Sequence, residues 1–372
     1  MRSNHTKRFS LLAIASLSTL AKAAPQTRSS SCIGTISSLS DVGTAVQCTT
    51  VNIDAFTVPA GQTFNLDLLE GTTVNVLGEI QFGNLSWAGP LFEVKGTNVT
   101  FNGNGQIWDG GGPFYWDGLG TNGGVTKPRP MMKIEISGTL SDVHVVNAPA
   151  QCFSLTNPGP LVVSGIIVDD SQGNYPNANS DGLPAGHNTD GFDVSGNDLV
   201  VEKSVVINQD DCLAINRGRN IVFQDNYCNG GHGISIGSIT SNVVVEGVVV
   251  RSNTVVNSQQ AFRIKTDEVA TNSSVSNVTY TDNVATNCTS YGVLITQSYP
   301  ASLGTPGNGV IISDVDFYPG STFLTATSNA VMVAVNCGEG SCIGTWNWSG
   351  LMTSGGMVGP MNNITVITGY TQ

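Results

Sequence analysis

Three short motifs carry the side chains that could do chemistry: Asn188-Thr189-Asp190-Gly191-Phe192-Asp193, Gln209-Asp210-Asp211-Cys212 and Gly231-His232-Gly233. Asp190 and Asp211 are 21 residues apart, and Asp211 and His232 are 21 apart again. Each is followed by an alternating apolar pair, Phe192/Val194, Leu213/Ile215 and Ile234/Ile236. A period near ~20 residues that carries one short strand reads as one turn of a β-solenoid. Equivalent positions in successive turns stack at about 4.8 Å. Three carboxylates, Asp190, Asp210 and Asp211, and the His232 imidazole then converge on a patch two rungs tall. A single Asp at a turn is ordinarily structural. Like charges about 5 Å apart repel, however, and raise one another's pKa, so folding alone disfavours collecting them. Carboxylates in two protonation states suit acid–base hydrolysis, in which one donates a proton and another activates water.

Arg263-Ile264-Lys265 extends the pattern by one turn. Residues i and i+2 of a strand share a face, so Ile264 points into the core while Arg263 and Lys265 face out. Aligning Phe262/Ile264 with Ile234/Ile236 sets both cations beside the carboxylates. An isolated Arg-x-Lys is ordinarily a solvated pair. Here basic residues are scarce, 15 against 27 acidic, and a local cationic shelf points to an anionic ligand such as an acidic polysaccharide.

The elements that must hold these groups are short Val/Ile/Thr-rich runs such as Leu199-Val200-Val201, Val248-Val249-Val250 and Val293-Leu294-Ile295, punctuated by Gly, Asn, Asp and Ser. Crossover helices are missing, which excludes an α/β fold. A sandwich or jelly roll would lack the fixed period. The chain is expected to be all-β, a right-handed parallel β-helix over residues 29–372 with no second domain. Solenoids need caps. Residues 37–46 predict a short amphipathic lid helix with Ser40 as N-cap, and the Trp-, Gly- and Ser-rich stretch after Cys342 is expected to close the far end.

Lys7 and Arg8, the apolar run from Phe9 to Leu20 and Ala21-Lys22-Ala23 read as a secretory signal peptide over residues 1–23. A short propeptide to about residue 28 is compatible with the sequence. Cleavage after Ala23 removes Arg2, Lys7, Arg8 and Lys22 from the 15 basic residues and nothing from the 27 acidic ones, a balance of −16. Nucleic acid and anionic membranes are poor partners for such a surface. A secreted, extracellular monomer is expected, and sequons at Asn84, Asn98, Asn272, Asn277, Asn287, Asn347 and Asn363 are consistent with glycosylation. Closeness in sequence suggests three disulfides, Cys32–Cys48, Cys212–Cys228 and Cys337–Cys342. Cys152 and Cys288 lie several turns apart, beyond the ~7 Å reach of a bridge, and are expected to be buried free thiols.

His187-Asn188-Thr189-Asp190, Gln209-Asp210-Asp211-Cys212, Gly231-His232-Gly233 and Arg263-Ile264-Lys265, in this order, resemble the fungal endopolygalacturonases of glycoside hydrolase family 28. The likeness runs from Val58-Pro59-Ala60-Gly61 through Trp116-Asp117 and Thr126-Lys127-Pro128 to about residue 350. It implies a secreted enzyme that cleaves α-1,4 bonds of polygalacturonate (pectin) with inversion, without cofactor or metal. By resemblance Asp210 is the general acid, Asp190 and Asp211 activate water, and His232 tunes the acid. Asn188, Arg263, Lys265 and Tyr299 match substrate-binding positions; Tyr291, placed before the strand, is the worse match for the tyrosine. Stacked turns put Asp190 and Asp211 about 5 Å apart, a separation the general rule assigns to retaining enzymes. The resemblance implies inversion instead, with water held between two carboxylates beside the acid. Plant inhibitor proteins are candidate partners by the same likeness. Fungal members commonly carry a further carboxyl-terminal cysteine pair, which this chain lacks.

Rival readings of the same fold are an exopolygalacturonase, a rhamnogalacturonan hydrolase and a calcium-dependent pectate lyase. In the last, Asp190 and Asp211 would be calcium ligands, leaving Asp210 and His232 without a role. A non-catalytic polysaccharide-binding β-helix would need aromatic platforms, and aromatic residues make up only 7% of the chain.

Overall fold

A computed structural model describes residues 32–372. The expected signal peptide and the stretch to residue 28 lie outside the described residues. Thirty strands join in one continuous sheet, and successive turns pair in parallel, the arrangement of a parallel β-helix.

The register explains the apolar alternation. Met132, Phe153, Phe192, Leu213, Ile234, Phe262, Val293 and Val333 pair in succession along one face. Two residues on, Ile134, Leu155, Val194, Ile215, Ile236, Ile264, Ile295 and Val335 form a second inward column. All of these are buried, as period-2 alternation requires of a strand with one face on the core. The residue between each pair faces out, giving Ser154, Asp193, Ala214, Ser235 and Arg263 in order. One face of the solenoid is thus a ruled surface on which spacing in sequence becomes position in space.

Corners are held by buried asparagines. Asn226 Nδ2 donates to Asn253 Oδ1 at 3.1 Å, and Asn253 Nδ2 to Asn283 Oδ1 at 3.0 Å. Their Oδ1 atoms also accept backbone N–H groups that would otherwise be buried unpaired.

The amino-terminal lid differs from expectation. Leu39–Asp41 is a 3-10 turn and Val42–Ala45 a single α turn. Ser40 is not the cap, since its hydroxyl lies against Ser38 Oγ. Asp41 reaches back out of the turn, accepting from Ser37 N at 3.0 Å and Ser38 Oγ at 2.9 Å, and no side chain caps the α turn. A second one-turn helix, Gly112–Tyr115, was not foreseen.

At the other end Trp346 and Trp348 are fully buried, and Tyr370 packs 5.9 Å from the Trp348 ring. Leu351–Met357 pairs with Thr322–Asn336. This aromatic plug closes the last turn. The three expected disulfides are present, and Cys152 and Cys288 are free and buried. Among the described residues no helix is long and apolar enough to cross a membrane.

Candidate active site

The β-helix brings all eight sequence-selected residues to one place. Asn188, Asp190, Asp210, Asp211, His232, Arg263, Lys265 and Tyr299 line a single cavity of about 340 Å³. Asp190, Asp211 and His232 each stand two residues before an inward side chain of the same column, Phe192, Leu213 and Ile234. They therefore occupy equivalent positions on adjacent rungs, as their spacing of 21 demands.

Three hydrogen bonds converge on Asp210. Its Oδ1 receives the Asp211 N–H at 2.8 Å and lies 2.9 Å from His232 Nδ1, while Oδ2 receives Asn188 Nδ2 at 2.9 Å. Asp211 is fully buried and satisfied on both oxygens. Ser235 Oγ donates to Oδ1 at 2.7 Å, Arg263 Nη2 to the same oxygen at 2.5 Å, and Lys265 Nζ to Oδ2 at 2.8 Å. Arg263 Nε also donates to Ser235 Oγ. Asp190 differs from both, because its Oδ1 is buried with no hydrogen-bond partner.

The cationic shelf is therefore not free. Arg263 and Lys265 sit beside the carboxylates as the alignment required, yet both bond to Asp211. Lys265 Nζ also lies 5.2 Å from the centre of the Tyr299 ring, close enough for a cation–π contact. Tyr299 ends its strand, and Tyr291 opens the same strand rather than preceding it. Tyr299 alone of the two reaches the cavity.

Asn188 is more occupied than a bare ligand contact. It adopts a left-handed backbone, φ 52, and its Oδ1 accepts from Thr121 N at 3.0 Å and Thr121 Oγ1 at 3.1 Å. The loop carrying Thr121 is pinned by the Lys127–Asp117 ion pair at 2.8 Å, in which Lys127 is buried. Asn188 thereby ties this loop to Asp210.

Burial and like charge divide the carboxylates. Burial pushes Asp190 well above the ordinary range, and Asp210, Asp193 and Asp211 add to it against Lys265. Asp193 is pushed up to about 7 by burial and then by Asp211 and Asp210, with Asn216 opposing. For Asp210 burial acts upward too, but the His232 hydrogen bond and charge, Lys265 and the Asp211 N–H together hold it below the usual carboxylate range. The contact requires a hydrogen on one of the two atoms, so either His232 Nδ1 or a protonated Asp210 donates.

Sequence reasoning missed Asp193 as a site residue. The signal was present, since Asp193 lies between inward Phe192 and Val194 and must face out next to Asp190. Ser235 carried the same signal, falling between Ile234 and Ile236. Gln209 carries four bonds, exchanging two with the Thr189 hydroxyl and donating to Asp170 O and Asn174 Oδ1. Nothing local in sequence announces those partners.

Asp210, Asp211 and His232 place ligand atoms within 4.8 Å of one another, a spacing that could hold an ion. Both Asp211 oxygens already face donors, and the Lys265 ammonium and Arg263 guanidinium oppose a further cation.

A parallel β-helix with carboxylates and an imidazole set against two cations in one groove is the class that fold and site define. The chain belongs to the glycosyl hydrolases family 28, whose family model matches residues 48–371. It is 43% identical over 317 residues to an endo-polygalacturonase of Sclerotinia sclerotiorum, covering 83% of this chain and 80% of that one. It is 40% identical over 317 residues to a probable endopolygalacturonase B of Aspergillus flavus, covering 83% and 84%. Among solved structures it resembles endopolygalacturonase I of Stereum purpureum complexed with two galacturonates. The TM-score there is 0.83 with 46% identity, covering 87% of this chain and 95% of that one.

Proposed function

We propose that this protein hydrolyses α-1,4-galacturonosidic bonds of polygalacturonate, attacking within the chain and inverting the anomeric centre. The observation that carries the reading is the Asp210–His232 hydrogen bond, beside Asp211 and two cations in one cavity. Family membership and the names of the relatives support the substrate.

In the proposed reaction protonated Asp210 gives its proton to the glycosidic oxygen as that bond breaks. Water attacks the anomeric carbon from the opposite face. Its proton passes to Asp211, while Asp190, kept neutral by burial and its neighbours, orients the water. A galacturonate carboxylate arriving at Arg263 and Lys265 offsets part of the field that now depresses Asp210. Substrate binding thus raises the acid's pKa and favours its protonated form. The protein acts outside the cell as a monomer.

The test is incubation with polygalacturonate at acidic pH in a chelator, following reducing ends, product size and the first anomer by proton NMR. Mixed saturated oligomers released first as the β anomer are expected. A calcium-dependent, ultraviolet-absorbing product would make the protein a lyase, release of monomer alone an exo enzyme, and the α anomer a retaining one.

A further inference from the structure

The loop that reaches Asn188 is tied at its base and pressed down at its tip. Residues 116–131 form neither helix nor strand, yet Asp117 gathers the ends of a ring within them. Its Oδ1 takes the Lys127 ammonium at 2.8 Å and the Leu119 N–H at 3.0 Å, and its Oδ2 takes the Val125 N–H at 3.1 Å. Gly118, Gly120 and Gly124 have φ of 74, 57 and 68, the left-handed backbone that lets so short a ring close. The tip lies against the rung that carries Asn188, for a Cβ at Gly120 would stand 2.5 Å from Asn188 Oδ1.

This contact fixes which way the Asn188 amide faces. Its Oδ1 accepts from Thr121 N at 3.0 Å, Thr121 Oγ1 at 3.1 Å and, at the long distance of 3.4 Å, Asn122 Nδ2. The amide nitrogen must then point the other way, where it donates to Asp210 Oδ2 at 2.9 Å. Donors at one end and a carboxylate at the other admit only that orientation. An inverted amide would offer its oxygen to Asp210 and accept the proton that the glycosidic oxygen needs. The two orientations also differ in their effect on the acid. An N–H at Oδ2 favours the ionised carboxyl, whereas an acceptor there favours the protonated one.

We propose that Thr121 is a positioning residue that acts through Asn188, holding the amide donor toward Asp210 so that the acid's proton stays free for the substrate. This rests on the polygalacturonate reading above. The other charged and titratable groups about Asp210 are His232, Lys265, Arg263, Asp190, Asp193 and Asp211. All of them stand on the rungs of the solenoid, so a change in the loop alters the Asn188 contact and leaves theirs in place.

The experiment measures kcat, KM and pH profiles on polygalacturonate for wild type, Thr121→Val, Thr121→Ser and Gly120→Ala, with thermal melts to verify folding. Thr121→Val keeps the shape and loses the hydroxyl donor. Its kcat should fall about three- to tenfold, as one hydrogen bond is worth, while KM stays within about twofold of wild type. Its alkaline limb should move up by about half a pH unit. Thr121→Ser keeps both donors and should behave as wild type. Gly120→Ala keeps Thr121, but the added Cβ pushes the loop off Asn188, so its limb should move the same way. An unmoved limb in both Thr121→Val and Gly120→Ala would overturn the inference, because a loop that only covers the groove alters stability or KM and not the acid. A rise in KM alone, or a Thr121→Ser protein no better than Thr121→Val, would overturn it too. Wild type that cleaves polygalacturonate while the limbs stay fixed sinks this inference alone; wild type that does not cleave it sinks the polygalacturonate reading as well.

Discussion

His232 Nδ1 and Asp210 Oδ1 lie 2.9 Å apart while Asp210 Oδ2 receives Asn188, so a single carboxylate is held from both ends. Asp210→Asn removes the acid but keeps the shape. Turnover should fall by about 10²–10⁴-fold, the usual worth of general acid catalysis, with an unchanged circular dichroism spectrum. Near-normal activity in a folded Asp210→Asn protein would remove Asp210 from the donor role.

Protonation of Asp210 sets the pH profile. Activity should rise as the water-activating carboxylate ionises and fall as Asp210 gives up its proton, giving a bell with an acidic optimum. Burial alone raises Asp210, and His232 is the foremost group pulling it down. His232→Ala should therefore displace the alkaline limb as well as lower kcat. Superimposable limbs in the variant and wild type would show that His232 does not tune the acid.

Lys265→Ala and Arg263→Ala should impair binding and turnover together. Each cation bonds Asp211 and also faces the groove. Removing one partner of a buried pair costs about 3–5 kcal/mol, so lower melting temperatures should accompany a higher KM and a lower kcat. A change in KM alone would mean that the Asp211 contacts are dispensable.

Stability should be greatest in acid. Asp193 carries an ordinary pKa of 3.8 when unfolded and about 7 when folded. Between those values the folded protein keeps a proton that the unfolded chain has released. Stability therefore falls as pH rises through this window, by about 1.4 kcal/mol per pH unit for one such group. Asp190 and Asp170, both raised well above normal by burial, act in the same direction. Thermal melts from pH 4 to 7.5 should show a steady decline that is shallower in Asp193→Asn. Equal slopes would place the alkaline weakness elsewhere.

The candidate column was legible because the solenoid converts a 21-residue interval into one rung, and Asp190, Asp211 and His232 obey it. Arg263 and Lys265 followed from strand alternation, and the disulfides from nearness in sequence. Thr121 was not legible, for its hold on Asn188 spans 67 residues and depends on a loop folding over the groove. Ser40 fails as N-cap because the α turn starts at Val42, two residues after it, and helix boundaries are the least legible part of a helix. The alternation that places Arg263 also places Asp193, between inward Phe192 and Val194.

Asp190 Oδ1 is buried without a partner, amid other acids. This marks a locally frustrated spot in a regular lattice, since like-charge repulsion from Asp210, Asp193 and Asp211 bears on it. Evolution toward a sturdier protein would erase it, because an amide there escapes that repulsion at every pH. Heat-selected variants should drift toward Asp190→Asn and lose activity, so the tolerance of the surrounding ladder sets how reactive the groove can remain.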